Sequence, residues 1–217
     1  MTSRVMLISP AMNSALREAR FDDGCSVDAA GLRLAGAAAG SLPTADRVLV
    51  SPTVRCRETA AALGLDTDTI ASVAAAVIEP ELAGLDVGRW RGATLAEVSA
   101  DEPEAVGRWL ADPSSAPHGG ESVSGLCERV AKWLETAADP ALGSGPGSAS
   151  GSAPGSGAGS VRIVAVVEPE IVRAGVVRAL GAPESAFWRV DVPPLTVTEF
   201  SGRAGRWNVR VGRALGE

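Results

Sequence analysis

Two carboxylates, Glu168 and Glu170, stand on either side of Pro169, directly after the apolar run Val164-Ala165-Val166-Val167. Acids so placed can work as a general acid and base or can hold a small cation. A guanidinium nearby would instead convert Glu168 into half of an ion pair. Glu170, at the start of the next helical stretch, is expected to face solvent, where a carboxylate also suits the helix dipole. The chain has one histidine, His118, just ahead of Gly119-Gly120-Glu121-Ser122. A loop histidine without a nucleophile or base beside it is expected to be a solvated side chain.

These residues need a scaffold, and the apolar pattern supplies one. Val5 to Ile8 reads as a strand, followed by a long loop, a helix over Ala29 to Gly40, a strand over Arg47 to Ser51 and a helix over Val54 to Leu63. A short strand is expected near Ser72 to Ala75, then helices over Leu95 to Ala100 and Pro103 to Ala111. Val123, Leu126, Val130, Trp133 and Leu134 recur near the helical period, so a helix within Glu121 to Ala137 packs one face inward. The run ending at Val167 reads as a buried parallel strand feeding a helix over Ile171 to Leu180. Thr196 to Ser201 and Trp207 to Val211 form a final strand pair about a Gly202-Arg203-Ala204-Gly205 turn. Alternation of strands and helices implies an α/β fold: a three-layer, doubly wound, mainly parallel sheet with helices on both faces. Ligands in such sheets sit beyond the carboxyl ends of the strands.

Several short motifs, in order and nearly spanning the chain, carry a resemblance. Glu18-Ala19-Arg20-Phe21 is similar to a Glu-Gly-Arg-Tyr loop, and Gly31 with Ala35 to the start of a Leu-Gly-x-x-Gln-Ala helix. Ser51-Pro52-Thr53-Val54-Arg55-Cys56-Arg57-Glu58-Thr59-Ala60 follows Ser-Pro-x-x-Arg-Ala-x-Gln-Thr-Ala. Gly88-Arg89-Trp90-Arg91-Gly92 follows Gly-x-Trp-Glu-Gly, and Gly119-Gly120-Glu121-Ser122 follows Gly-Gly-Glu-Ser. Together they resemble the histidine phosphatase (phosphoglycerate mutase-like) superfamily.

The resemblance also implies what has changed. Where the family's first strand ends in Arg-His-Gly, this chain has Ser9, Pro10 and Ala11, and where a later strand ends in Ser-His-Gly it has Val167, Glu168 and Pro169. Gly84 stands at the place of the family's proton-donating glutamate. By this resemblance Ser9, Arg20, Arg55, Glu168 and His118 border the old pocket, while Pro10, Glu168 and Gly84 are degenerate catalytic positions; Arg55, buried there without its phosphate, is expected to pair with Glu168. Arg17 and Arg20 are expected to pair with Asp22 and Asp23, and Trp90 to anchor its loop. The implied protein is a pseudophosphatase with a binding or regulatory role. Two alternatives stay open. One is a phosphomonoesterase in which Arg55 holds phosphate and Glu168 or His118 is acid or base; the other is a cation site at Glu168 and Glu170.

Composition bounds the rest. A chain of 217 residues with 46% hydrophobic content fits one domain able to bury a full core. Residues 143 to 160 are rich in Gly, Ser, Ala and Pro, and such a segment reads as a disordered insert within that domain, since core motifs lie on both sides. A formal charge of −6 without a basic run argues against nucleic acid. The absence of a long apolar run argues against a membrane span, and the start does not resemble a signal peptide, so cytoplasmic residence is expected. Cys25, Cys56 and Cys127 are too scattered for a disulfide framework or zinc site and read as buried or half-buried packing residues. No cofactor is implied, and neither a small-molecule nor a protein partner is named.

Overall fold

The computed structural model describes residues 3–65, 76–137, 161–203 and 205–216. The 143–160 segment and the strand expected near Ser72 to Ala75 lie outside these residues, as does Ala204 of the expected turn.

Six strands form one sheet: β1 (Ser3–Ile8), β2 (Arg47–Val50), β3 (Val77–Ile78), β4 (Arg162–Val166), β5 (Thr196–Arg203) and β6 (Arg206–Ala214), in the order β3-β2-β4-β1-β5-β6. The β3–β2, β2–β4 and β4–β1 pairs are parallel, while β5 runs antiparallel to β1 and to β6. The expected α/β architecture is present, with an antiparallel edge formed by the expected last strand pair.

Side-chain alternation divides the core in two. Val5, Leu7, Leu49, Ile163 and Ala165 face α6 (Val123–Ala137) and α7 (Pro169–Leu180). Met6, Ile8, Val48, Val50, Val164 and Val166 face α2 (Ala29–Ala37) and α3 (Val54–Ala62). A strand buried on both faces must be apolar at every position, which is why these runs show no polar alternation. A third cluster, Val87, Trp90, Val98, Ala105, Val106 and Trp109, is built around α4 (Leu95–Asp101) and α5 (Pro103–Ala111).

The helices stop where their caps allow. The Asp28 carboxylate accepts the Gly31 N–H at 2.6 Å to start α2, which ends at Ala37 in place of the expected Gly40. Thr53 caps α3, and Pro169 opens α7 at its first position, where a missing N–H costs nothing. The expected long loop after β1 contains a one-turn helix, α1 (Ser14–Arg17), capped by Asn13. Four residues offer too little periodicity to announce a helix. No helix among the described residues is long and apolar enough to cross a membrane.

The chain after β1 leads to α2 on one face, whereas β4 leads directly to α7 on the other. Neighbouring strands whose connections diverge leave a crevice at their carboxyl ends. Pro10 and Glu168, which follow β1 and β4, both open onto it.

Candidate functional site

A cavity of about 540 Å³ occupies this crevice. Pro10, Arg55, Glu168 and Glu170 line it near the strand ends, and Phe21, Trp109, Trp188 and the Pro193-Pro194 pair contribute apolar wall.

The Glu168 carboxylate meets Arg55, which donates from Nη2 to Oε2 and, at 3.5 Å, from Nε to Oε1. Thr53 Oγ1 donates to the same Oε1 at 2.8 Å, and the Cys56 thiol approaches it at 3.5 Å. These partners come from Thr53 at the α3 N-cap and from its first turn, so one local structure saturates a carboxylate delivered from β4. The two charged side chains are only 10% and 4% exposed. Burial pulls the Arg55 pKa down, but the adjoining Glu168 carboxylate more than offsets this and holds it above its usual value. Burial, then the Glu168 charge, pushes the Cys56 thiol well up, so it stays protonated. The expected Arg55–Glu168 ion pair is present.

Glu170 departs from expectation. It is partly buried and lines the cavity, with Oε1 accepting the Leu85 N–H at 3.3 Å. The helix turns it inward because α7 begins at Pro169, which places Glu170 over the 84–85 turn. A Cβ at Gly84 would lie 3.2 Å from Glu170 Oε1 and 3.3 Å from Glu168 Cγ, so the two glutamates crowd the place where the resemblance implies an acid. Arg129 positions this turn. It donates to the carbonyls of Glu81 and Ala83 at 2.6 and 3.0 Å and is gripped by Glu121 in a two-pronged pair at 2.9 and 2.7 Å. Sequence reasoning missed Arg129, whose only signal is its place eight residues after Glu121.

Burial first, then Glu168, raises the Glu170 pKa; Arg55 and Arg173 oppose this weakly, and its own backbone N–H also lowers it. The folded state therefore holds the Glu170 proton more tightly than the unfolded chain. Stability contributed by this difference is lost as pH rises from the ordinary carboxylate range through the raised value. Glu170→Gln is expected to stabilise the fold at pH 7 by on the order of 1 kcal/mol, with the gain vanishing below about pH 4. Chemical denaturation across this pH range measures it; a difference independent of pH would contradict the buried-carboxyl reading.

His118 is 1% exposed and is not part of the cavity lining, which corrects its placement as a solvated residue at the pocket edge. Its ring lies edge-on to Trp90 at 5.0 Å and to Trp109 at 6.2 Å, and Nδ1 accepts the Gly120 N–H at 3.1 Å. Burial lowers its pKa, so it is a neutral packing residue. Ser9 is also turned away from the cavity. Its Oγ donates to the Pro193 carbonyl at 2.5 Å and accepts the Thr196 N–H at 3.0 Å, stitching the end of β1 to the start of β5.

Arg20 does line the cavity, on a loop pinned by Phe21 N–H to the Ala93 carbonyl at 2.9 Å. Ala19 takes φ 48° where the similar motif has glycine, a left-handed conformation that costs about 1–2 kcal/mol without one. Arg20 pairs with Glu18 at 2.9 Å and Arg17 with Asp28 at 2.8 Å, so the expected partners Asp22 and Asp23 are replaced; Asp22 instead meets Arg91 at 3.4 Å. Trp90, 2% exposed, anchors its loop as expected. Among the described residues no group of three His, Cys, Asp or Glu side chains could hold a metal ion.

The solved structures this chain resembles include a mycobacterial hydrolase, at TM-score 0.76 and 22% identity over 100% of both chains. They include the alpha-ribazole phosphatase of Shigella flexneri, at TM-score 0.76 and 19% identity over 99% of this chain and 98% of that one. A mycobacterial glucosyl-3-phosphoglycerate phosphatase aligns at TM-score 0.75 and 22% identity over 99% of this chain and 100% of its own. These likenesses show a shared fold. A bifunctional protein of Mycobacterium tuberculosis is 38% identical over 107 residues, 46% of this chain but only 27% of that protein's length. The family model for the histidine phosphatase superfamily (branch 1) matches residues 17–213, a span holding both the Arg55 helix and the strand that delivers Glu168, and the chain belongs to that superfamily.

Proposed function

We propose that this domain keeps the superfamily fold without phosphohistidine chemistry and acts as a binding or regulatory pseudophosphatase. The observation that supports this most is the Glu168 carboxylate held by Arg55, Thr53 and Cys56 in the strand-end crevice. Phosphoryl transfer to an enzyme side chain needs a nucleophile and a cationic cage for the oxygens. Pro10 has no nucleophilic atom, and the chain's one histidine is packed outside the cavity. A carboxylate about 4 Å from a phosphate oxygen is repelled by about 4 kcal/mol at an effective dielectric of 20, nearly a thousandfold in affinity.

A second reading is favoured by two of the similar proteins, which are named as phosphatases. In it the chain is a phosphomonoesterase of a small phosphoester, with Arg55 released to hold phosphate and Glu168 as acid or base. The packing of His118 removes it from that role. The cation reading finds no comparable support, since Arg55, Thr53 and Cys56 already engage Glu168.

The two readings separate in a turnover assay. Purified protein is expected to hydrolyse neither 4-nitrophenyl phosphate nor 3-phosphoglycerate above background. Steady turnover that disappears in Arg55→Ala would establish the phosphomonoesterase and end the pseudophosphatase reading.

A further inference from the structure

The cavity's charges are spent unevenly. Arg55 is taken by Glu168, Arg20 by Glu18, and Asp22 by Arg91. Two cavity carboxylates have no arginine partner, and they differ in burial: Asp191 is exposed, whereas Glu170 is partly buried, with Oε1 accepting one backbone N–H and Oε2 accepting no hydrogen bond among the described residues. A partly buried carboxylate with an open lone-pair face is a site for a hydrogen-bonding cation. Its neighbours explain why the protein itself does not supply one. Arg55 faces it but is committed to Glu168, and Arg173, one helical turn along α7, donates Nε to the Val190 carbonyl at 3.0 Å. The Arg173 guanidinium lies 6.0 and 5.9 Å from the Phe187 and Trp188 ring centres.

Another part of the same cavity wall is aromatic. Trp109 and Trp188 pack with ring centres 4.4 Å apart, and Trp109 meets Phe21 edge-on at 5.8 Å. Phe21, Trp109 and Trp188 all line the cavity. Indole faces attract both flat apolar groups and ammonium ions. The volume of about 540 Å³ lies in the range of small-molecule sites, roughly 300–1,000 Å³.

We propose that the cavity binds a small organic amine: a flat apolar body against Trp109 and Trp188, with its ammonium group on the Glu170 carboxylate. The proposal deepens the pseudophosphatase reading and rests on it in one respect, that Glu168 occupies Arg55 and so takes this guanidinium from an anionic ligand. A partly buried carboxylate without an ion-pair partner has a physical reason on this basis, because an arriving ammonium supplies the countercharge that Glu170 lacks in the free protein. A phosphoester would bring a second anion to the same place.

Phenethylamine, 2-phenylethanol, 3-phenylpropionate and phenyl phosphate share a ring and differ in the charge they present. Calorimetric titration of the full chain with each is expected to rank the amine first, by roughly tenfold or more over the alcohol, the scale of a charged hydrogen bond. Glu170→Gln should erase that preference, bringing the amine down to the level of the alcohol, and Trp188→Ala should weaken the amine and the alcohol together. Equal affinity for the amine and the alcohol, or no amine binding at millimolar concentration, overturns the proposal. Preference for phenylpropionate or phenyl phosphate overturns it too and assigns the cavity to an anion on Arg173 or Arg55. If Glu170→Gln is insoluble, the ranking by the unmodified protein decides alone. Hydrolysis of phenyl phosphate would defeat the pseudophosphatase reading separately, whatever the binding order.

Discussion

Glu168→Gln is expected to destabilise the fold by about 3 kcal/mol or more, and Arg55→Met by a similar amount, yet the double variant should lose much less than their sum. Either single change leaves one desolvated charge without its partner, while the double change removes both. Glutamine retains the shape of the side chain and can still accept the Thr53 hydroxyl, so the single effect isolates the charge at Arg55. With both side chains at most 10% exposed, solvent screens the pair little, unlike the surface bridges elsewhere on the chain. Chemical denaturation of the four proteins yields a coupling energy, expected at about 2 kcal/mol or above. A value near zero would mean that the pair does not form in solution. Arg55 would then be available to an anionic ligand, and the phosphomonoesterase would become the better reading.

Gly120→Ala is expected to cost more than about 3 kcal/mol, because its Cβ would sit 2.1 Å from the Asp86 carbonyl oxygen and 2.8 Å from the Gly88 nitrogen. Gly88 meets the same wall from the other side: a Cβ there would be 2.3 Å from the His118 carbonyl oxygen. Two motifs that begin 31 residues apart thus touch backbone to backbone, joined by Arg89 N–H to the His118 carbonyl at 3.1 Å and Glu121 N–H to the Asp86 carbonyl at 2.8 Å. Any added atom must push apart the loops that carry Trp90 and the cavity-lining Val87. Gly119→Ala is the control. Its Cβ meets nothing within 4 Å, but φ is +82°, so only the conformational cost of about 1–2 kcal/mol is expected. Denaturation midpoints of the two variants provide the comparison, and equal losses would refute the close-contact explanation.

Much of this was legible in the residues themselves. Uninterrupted apolar runs such as Val164 to Val167 demand burial on two faces, and a parallel sheet flanked by helices is the arrangement that provides it. The family motifs put Arg55 and Glu168 at one strand-end crevice, where neither charge is tolerable alone, so their pairing followed from the resemblance. Trp90 had to be an anchor, since exposing so large an apolar surface between two glycines would forfeit its burial energy. Tertiary structure decided the rest. Arg17 and Arg20 had several carboxylates within reach, and surface pairs differ by about 1 kcal/mol or less, so the path of the loop chose Asp28 and Glu18. Ser9 and His118 are polar types whose surroundings are set by β5, α5 and the 86–92 loop, which are distant in sequence. Glu170 is the sharpest case: its type and its place at a helix start suit solvent equally well. Only the angle at which α7 leaves β4, fixed by the packing of Ile171 and Val172 into the core, turned its carboxylate into the cavity.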